Sequence, residues 1–324
     1  MATAITAASA SSAAYSATTS TTASGSGFTG TVRVSTATKV HEYLATSHKH
    51  KHKSWTLNSF DIGKSLGKGK FGNVYLVRTK EEPHYIFAIK ALYKAELEHD
   101  QVQGQLRREV EIQQNLRHPN VLRLFGWFSD KRRVFLMLEF AGNGELYKHL
   151  RKAGHFPEPR AAKYVAQVSA ALAYLHTKHI MHRDLKPENI LLDVNDEVKL
   201  ADFGWSVHAP GNLRKTFCGT LDYLPPEMVN GMPYNNKVDN WTVGVLTYEL
   251  VNGYPPFEDQ EGGSKGTQRR IASLQMTIPS HNSREVKHLI KQLLRIRADE
   301  RFPLDRVFEH PWVVKHYQPD IRFV

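Results

Sequence analysis

The tightest constraint on the fold lies in mid-chain. There Ile180-Met181-His182-Arg183-Asp184-Leu185-Lys186-Pro187-Glu188-Asn189 is followed by Ile190-Leu191-Leu192, a turn from Asp193 to Glu197, Val198-Lys199-Leu200-Ala201 and Asp202-Phe203-Gly204. The two apolar runs are too apolar for a surface, and they read as short strands joined into a hairpin. A hairpin returns the chain to where it started, so Asp202 is carried back toward Asp184 and Asn189. Two acids, an amide, a lysine and an arginine therefore gather in one place. Such a set suits phosphoryl transfer, in which a hydroxyl is oriented, its proton accepted and the charge on the transferred phosphate neutralised by metal ions.

The chain of 324 residues exceeds one typical domain, and a hydrophobic content of 41% is enough for a substantial core in one two-lobed domain plus a tail. A formal net charge of +11 admits acidic partners, but the cations are dispersed, with no dense run beyond His48 to Lys53. Direct nucleic-acid binding is therefore not expected as the main function. Cys218 is the only cysteine, which rules out an intramolecular disulfide and a multi-cysteine zinc site and fits an intracellular, reducing compartment. No apolar run approaches the ~18 residues of a membrane span, and the N-terminus lacks the charged-then-apolar order of a secretory signal.

Residues 1–54 divide into an Ala/Ser/Thr-rich stretch and a His/Lys-rich one, and both are expected to be disordered tail because so few large apolar residues cannot offset the entropy of ordering a backbone. Structure is expected from about Trp55. Leu66-Gly67-Lys68-Gly69-Lys70-Phe71-Gly72 runs into Asn73 to Arg78, whose residues are those of a strand, so the glycines cap a hairpin rather than open a dinucleotide-binding helix. Backbone amides in such a loop can approach phosphates, although a tight turn alone explains the glycines equally simply. Phe87-Ala88-Ile89-Lys90 is a buried-strand pattern ending on a cation that needs a partner if it is buried. The helical segment Gln101 to Leu116 offers Glu109 and Glu111, and turning Leu106, Val110, Gln113 and Leu116 inward directs Glu109 toward the strand. Val134 to Leu138 reads as another buried strand. Beyond Glu139-Phe140-Ala141-Gly142-Asn143-Gly144 the period becomes helical, with Ala161, Tyr164, Val165, Val168, Ala171, Leu172 and Leu175 on one face. A long irregular stretch from Trp205 to Glu227 interrupts this mainly helical half, and such segments are usually functional or disordered.

In order, the glycine loop, Lys90, Glu109, His182 to Asn189, Asp202-Phe203-Gly204, Pro226-Glu227 and Asp239 resemble the protein kinase family over residues 60–312. Finer text is similar to the Aurora kinases, serine/threonine kinases of mitosis: Gln105-Leu106-Arg107-Arg108-Glu109-Val110-Glu111, Ala201-Asp202-Phe203-Gly204-Trp205-Ser206 and Cys218-Gly219-Thr220-Leu221-Asp222-Tyr223. The resemblance implies an α+β, bilobal protein kinase fold. A small, mainly β N-lobe with one key helix would span about 60–138, a hinge 139–144 and a larger, mainly α C-lobe 145–312, leaving 313–324 as a short C-terminal tail.

It also implies roles. Asp184 would orient the substrate hydroxyl and accept its proton, Lys186 would neutralise phosphate charge, and Asn189 and Asp202 would hold Mg2+. Lys90, paired with Glu109, would hold the α- and β-phosphates of ATP under the loop of Gly67, Gly69 and Gly72. Leu66, Val74, Ala88 and Leu191 would flank the adenine, and the backbone of Glu139 and Ala141 would bind its edge, although core packing alone also accounts for the four apolar residues. Glu145 and Glu188 match positions where arginine-directed kinases hold that cation, which implies protein substrates with arginine before Ser or Thr. Thr216 would be the activating phosphosite, with Arg183 receiving its phosphate, while the Thr220 hydroxyl would lie near Asp184 and Lys186. The family further implies an activating spindle or centromere protein as partner and a location in nucleus and cytoplasm, at spindle, centrosome or centromere. Subtype markers are mixed, Gly126 resembling the A form and Glu145 the B and C forms.

Two departures from the pattern stand out. Asn240 occupies a usually apolar position, and Gly262, Gly263 and Gly266 are expected to weaken a helix by roughly 1 kcal/mol each where they fall inside it. A catalytically inactive kinase-fold scaffold is the competing reading. It would require loss of a charged catalytic residue, and none is lost.

Overall fold

A computed structural model describes residues 55–209 and 219–318; the expected tail 1–54, Thr216 within 210–218, and residues 319–324 lie outside the described residues. The chain divides into two compact units, one made of residues up to 117 with 122–145 and 192–196, the other of 118–121, 146–191 and 197 onward.

The first unit is built on a five-stranded antiparallel sheet. Its members in chain order are β1 (Phe60–Gly69), β2 (Gly72–Thr79), β3 (Ile86–Tyr93), β4 (Leu124–Ser129) and β5 (Arg133–Leu138), lying side by side as β1-β2-β3-β5-β4. Two helices, α1 (Lys94–His99) and α2 (Gln103–Gln113), fill the connection from β3 to β4. Strand periodicity of two sorts β3 onto two faces. Phe87, Ile89 and Ala91 face a core with Trp55, Phe60, Val77, Phe135 and Met137. The rings there are stacked or edge-on, with Phe128–Phe135 centroids at 4.7 Å and Phe60–Phe87 at 5.3 Å. Each such side chain, fully buried, stabilises the unit by about 1.5–3 kcal/mol, so this face anchors the sheet. The alternate residues Ala88 and Lys90 are thereby directed to the opposite face. A short strand, β6 (Gly144–Glu145), closes the unit's hinge-like segment. Asn143 fixes that segment to the turn after Leu192, its N–H donating to Leu192 O at 3.0 Å and its side-chain amide to Asp193 O at 2.7 Å.

The second unit is mainly helical. Helix α3 (Leu146–Ala153) leads to α4 (Glu158–Thr177), whose expected apolar face is entirely buried. Short strands β7 (Ile180–Met181), β8 (Ile190–Leu192), β9 (Val198–Leu200) and β10 (Val207–His208) follow, β8 beside β9 and β10 beside β7. Asn120 stitches residues 118–121 to this unit, donating from Nδ2 to Val198 O at 3.1 Å and accepting Leu200 N at 2.8 Å. Beyond the short α5 (Pro226–Val229), α6 (Lys237–Asn252) is buried almost all round and stops at Gly253, a left-handed residue with φ 89°. Its Asn240 is 1% exposed and donates to Phe302 O at 2.7 Å, which accounts for the amide nitrogen at an apolar position, while its Oδ1 is buried with no hydrogen-bond donor among the described residues.

The glycine-rich stretch does form a helix, α7 (Gly263–Ala272). Gly262 is its N-cap and Gly263 its first residue, so only Gly266 bears the full interior penalty. The Asp259 carboxylate accepts Gly262 N at 3.0 Å and pairs with Arg270 at 3.2 Å. A Cβ at Gly266 would come within 2.2 Å of Asp259 Oδ2, so the absent side chain is what lets the carboxylate lie against the helix start. Helices α8 (Arg284–Leu293) and α9 (Pro311–His316) complete the unit. The α8 cap Ser283 is held by Glu158, and burial alone would raise that acid, but hydrogen bonds from Ser283 and Trp312 keep it below its ordinary range. Among the described residues no helix is long and apolar enough to cross a membrane.

Candidate active site

In the first unit β1 and β2 meet at Gly69 opposite Gly72, with Lys70 and Phe71 forming the turn. Strand β2 continues from the third glycine, as its β-branched and aromatic residues require. Gly72 is obligatory, because a Cβ there would lie 1.8 Å from Ala91 O. The register between Ser65–Tyr75 and Gly67–Val74 breaks at Leu66, a bulge that re-aims this side chain. Val74 lies opposite Lys90, and Ala88 is two residues earlier on the same strand, so all three share the face away from the aromatic core. Lys90 Nζ lies 3.7 Å from Glu109 Oε1 of α2, while Glu111 is exposed. The helix is oriented by Val110 and by Gln113, which donates to Leu122 O at 2.9 Å. At 3.7 Å the lysine–glutamate contact is an ion pair rather than a hydrogen bond. Glu139 is fixed by its own N–H on Arg123 O at 2.9 Å and by its carboxylate accepting Arg123 N at 3.1 Å. Ala141 is fully buried, and Glu145 is only 3% exposed and engaged with its surroundings.

In the second unit the segment between β7 and β8 is shaped by one buried acid. Asp239, on the first turn of α6, accepts His182 N at 3.1 Å, Arg183 N at 3.0 Å and His176 Nε2 at 2.8 Å. Burial by itself raises its pKa, but the hydrogen bond and charge of His176 and the Arg183 N–H outweigh burial and hold it below the ordinary 3.8. This anchoring sustains a left-handed Arg183, φ 68°, a conformation costing about 1–2 kcal/mol outside glycine. The Arg183 guanidinium donates to Trp205 O at 2.7 Å and to Tyr234 Oη at 2.8 Å.

Asp184 follows at once, 6% exposed. Asn189 Nδ2 donates to its main-chain oxygen at 2.8 Å and to Oδ2 at 2.9 Å, and Lys186 Nζ lies 3.2 Å from Oδ2. Thr220 closes the group, accepting from Lys186 Nζ at 2.9 Å and donating to Asp184 Oδ1 at 3.3 Å. With Nδ2 spent on Asp184, the amide oxygen of Asn189 points away from it. The hairpin brings Asp202 back as expected, because Ala201 N donates to Asn189 O at 2.8 Å. Asp202 is left-handed, φ 60°, and one of its oxygens accepts Gly204 N at 3.1 Å. His182 packs edge-on to Phe203 and contacts Ala201 O at 3.1 Å. Leu191 is buried in β8.

Residues 60–313 match the protein kinase domain family. The chain is 52% identical to the Aurora kinase of Schizosaccharomyces pombe over 87% of its own length and 80% of that protein. It is also 52% identical to serine/threonine-protein kinase Aurora-1 of Arabidopsis thaliana, over 82% of this chain and 90% of that one. Against Aurora kinase A-B of Xenopus laevis the identity is again 52%, over 83% of this chain and 65% of the relative. The chain belongs to the Aurora family of protein kinases. Its sheet unit and helical unit are those of the bilobal kinase fold, and the family as a whole uses ATP and Mg2+.

The Aurora pattern did not reveal how the catalytic segment is held. His176 lies 63 residues from Asp239 and Tyr234 lies 51 residues from Arg183, and neither carries a motif. Asp239 is part of the kinase pattern, but the pattern does not show which donors it takes. A second acidic group surrounds Tyr223, whose hydroxyl hydrogen-bonds Glu249. Burial first, then the Glu249 carboxylate, raises the Tyr223 phenol well above its ordinary value. Burial pushes Glu249 up to about 7; the Tyr223 hydrogen bond opposes the shift, while Glu188, Asp222 and Glu258 add to it. Asp222 is raised too, by burial and then by Glu258. Among the described residues no group of three or more His, Cys, Asp or Glu side chains is placed to hold a metal alone. Mg2+ needs no such cage, since it keeps waters and takes one or two protein oxygens plus substrate phosphates. The Asn189 amide oxygen and the Asp202 carboxylate are oxygen donors of that kind.

Proposed function

We propose that this chain is an ATP-dependent serine/threonine kinase that phosphorylates Ser or Thr preceded by arginine and acts in mitotic spindle and chromosome segregation. The observation that carries the reading is the grip of Asn189 and Lys186 on Asp184, with Thr220 bridging the last two. Asp184 orients the substrate hydroxyl and accepts its proton. Lys186 lowers the negative potential where phosphate charge develops. Asn189 and Asp202 would hold Mg2+, which when bound neutralises charge on the phosphates. In the sheet unit Lys90, steadied by Glu109, takes the α- and β-phosphates, the hairpin of Gly67, Gly69 and Gly72 presents its amides to them, and Leu66, Val74 and Ala88 with the backbone of Glu139 and Ala141 receive the adenine.

Arginine preference is assigned to Glu188 and Glu145. Glu188 is half-buried and acts electrostatically on Tyr223 and Glu249, so it contributes to a negative potential that favours a substrate guanidinium. Glu145, being buried, offers less carboxylate surface. Thr216 is proposed as the activating phosphosite, two residues after Arg214 and so resembling the substrate. Its phosphate would add about −1.5 to −2 charge, and Arg183, its plane fixed by Trp205 and Tyr234, would receive it. An activating spindle or centromere protein is the expected partner.

The test is transfer from radiolabelled ATP to a basic peptide by wild type and Asp202→Asn, with phosphosites mapped in wild type and Thr216→Val after phosphatase treatment. Label transfer by wild type and none by Asp202→Asn is expected. Equal transfer by both would sink the catalytic assignment, and full activity of Thr216→Val would place the switch elsewhere.

A further inference from the structure

The turn of the glycine hairpin is held from both ends of one short helix. At the N-cap of α1, Tyr93 N donates to Phe71 O at 2.9 Å. At its C-cap, Asp100 Oδ2 lies 2.5 Å from Lys70 Nζ. Lys70 and Phe71 are the two turn residues between Gly69 and Gly72, so each residue of the turn is tied once to a cap of α1. The closeness of β3 enforces the same fit, since Gly72 passes Ala91 O with no room for a side chain. The other group facing Asp100 is His99, whose Nδ1 lies 2.9 Å from Oδ1. Hydrogen bonds from Lys70 first and His99 second keep the Asp100 carboxyl below its ordinary 3.8, so it is charged at neutral pH.

We propose that α1 is a brace for the glycine hairpin, and that Asp100 is a positioning residue which, through Lys70, sets how firmly the hairpin holds the phosphates of ATP. The proposal rests on the hairpin being the phosphate loop of the function proposed above. Glycines give the loop its close approach to phosphate at the expense of stiffness, and a free hairpin turn would have to be ordered each time nucleotide binds. Fixing the turn beforehand removes that penalty from binding. The main-chain bond from Tyr93 cannot be deleted by a side-chain change, whereas the Lys70–Asp100 pair can.

The experiment measures ATP affinity by calorimetry and, separately, KM for ATP and kcat at saturating peptide for wild type, Asp100→Asn, Asp100→Glu, Lys70→Gln and the double variant Lys70→Gln/Asp100→Asn. Asp100→Asn should weaken ATP binding and raise KM for ATP by about threefold to fivefold, the upper range for a partly exposed pair, with kcat and KM for peptide little changed. Asp100→Glu should restore wild-type values. Adding Asp100→Asn to Lys70→Gln should cost nothing further, because the acid acts only through the lysine. Salt should close the gap between wild type and Asp100→Asn, since at ~1 M the screening length falls to about 3 Å. Unchanged ATP affinity in Asp100→Asn, or additive effects in the double variant, would overturn the brace. A wild type that binds ATP but transfers no phosphate would defeat the proposed kinase activity while the calorimetry still decides the role of Asp100.

Discussion

Replacing Asp239 by asparagine should separate the positioning of the catalytic segment from its chemistry. The carboxylate accepts three hydrogen bonds, from His182 N, Arg183 N and His176, in a site with no solvent exposure. Bonds to a charged acceptor contribute about 1.5–3 kcal/mol each, roughly 4.5–9 kcal/mol gross. Removing the buried charge recovers several kcal/mol of desolvation, and relaxation of left-handed Arg183 returns about 1–2 kcal/mol more. For Asp239→Ala the net loss should be about 3–5 kcal/mol, the range for breaking a buried charged network. Asparagine keeps one acceptor but turns an N–H toward a donor, so about 2 kcal/mol is expected, leaving most of a domain's usual 5–15 kcal/mol intact. Asp184 is the residue after Arg183, and a displacement of ~1 Å there costs up to about 10²-fold in rate. Urea unfolding gives the stability and peptide phosphorylation gives kcat. The pH dependence supplies a second check. Because the folded pKa is depressed, the contribution is present above the unfolded value of 3.8 and is lost as pH falls through the lower folded value. The difference between wild type and Asp239→Asn should therefore shrink below pH ~4. An Asn variant with wild-type kcat and an unchanged urea midpoint would refute this account of the anchor.

Lys90→Arg should lower kcat/KM by at least about 10²-fold, the scale of losing one aligned electrostatic contact, yet barely move the urea midpoint, since the ion pair to Glu109 is long and partly exposed. For Glu249 the folded pKa of about 7 lies above the ordinary 4.5, so wild-type stability should fall as pH rises from about 4.5 to 7. Glu249→Gln should remove that fall, gaining at most about 3 kcal/mol on wild type between pH 5 and pH 8; equal stability differences at the two pH values would contradict it. Asn240→Leu deprives the half-buried Phe302 carbonyl of its donor and should destabilise the helical unit by about 1 kcal/mol in thermal unfolding, whereas a neutral result would mean the amide is dispensable.

What was legible in the sequence was local. The hairpin around Asp193–Glu197, the glycine turn running into a strand and the choice of Glu109 over Glu111 all follow from periods of 2 and 3.6 over a dozen residues. Helix α4 announced one face, that of Ala161, Tyr164, Val165, Val168, Ala171, Leu172 and Leu175, although Ala162, Ala166, Gln167 and Ser169 are buried as well. Helix α6 is apolar nearly all round, so periodicity had nothing to say about which neighbours it meets. Asp239 is fixed by His176 of α4 and by two main-chain amides of the catalytic segment, and the residues that orient Arg183 come from the segment after Gly204 and the loop before α6. Only folding puts them together, and no spacing rule reaches that far. The glycine-rich helix was misjudged in degree for the same reason: propensity counted three glycines, while tertiary structure set two of them at the helix start and placed a carboxylate beside the third.

That carboxylate carries a historical consequence. Gly262 and Gly266 both face Asp259, and a Cβ on either would come within 2.5 Å of its Oδ2. A side chain at either glycine would require the Asp259 carboxylate to move, and loss of the aspartate removes the acceptor of Gly262 N and one of two partners of Arg270, which also donates to Glu258 O. Substitutions here are therefore coupled: a more helix-favouring residue at 266 displaces the carboxylate from the helix start and weakens its bonds to Gly262 N and Arg270. Chains of this family that share the glycines should share the aspartate, and the two should be gained or lost together.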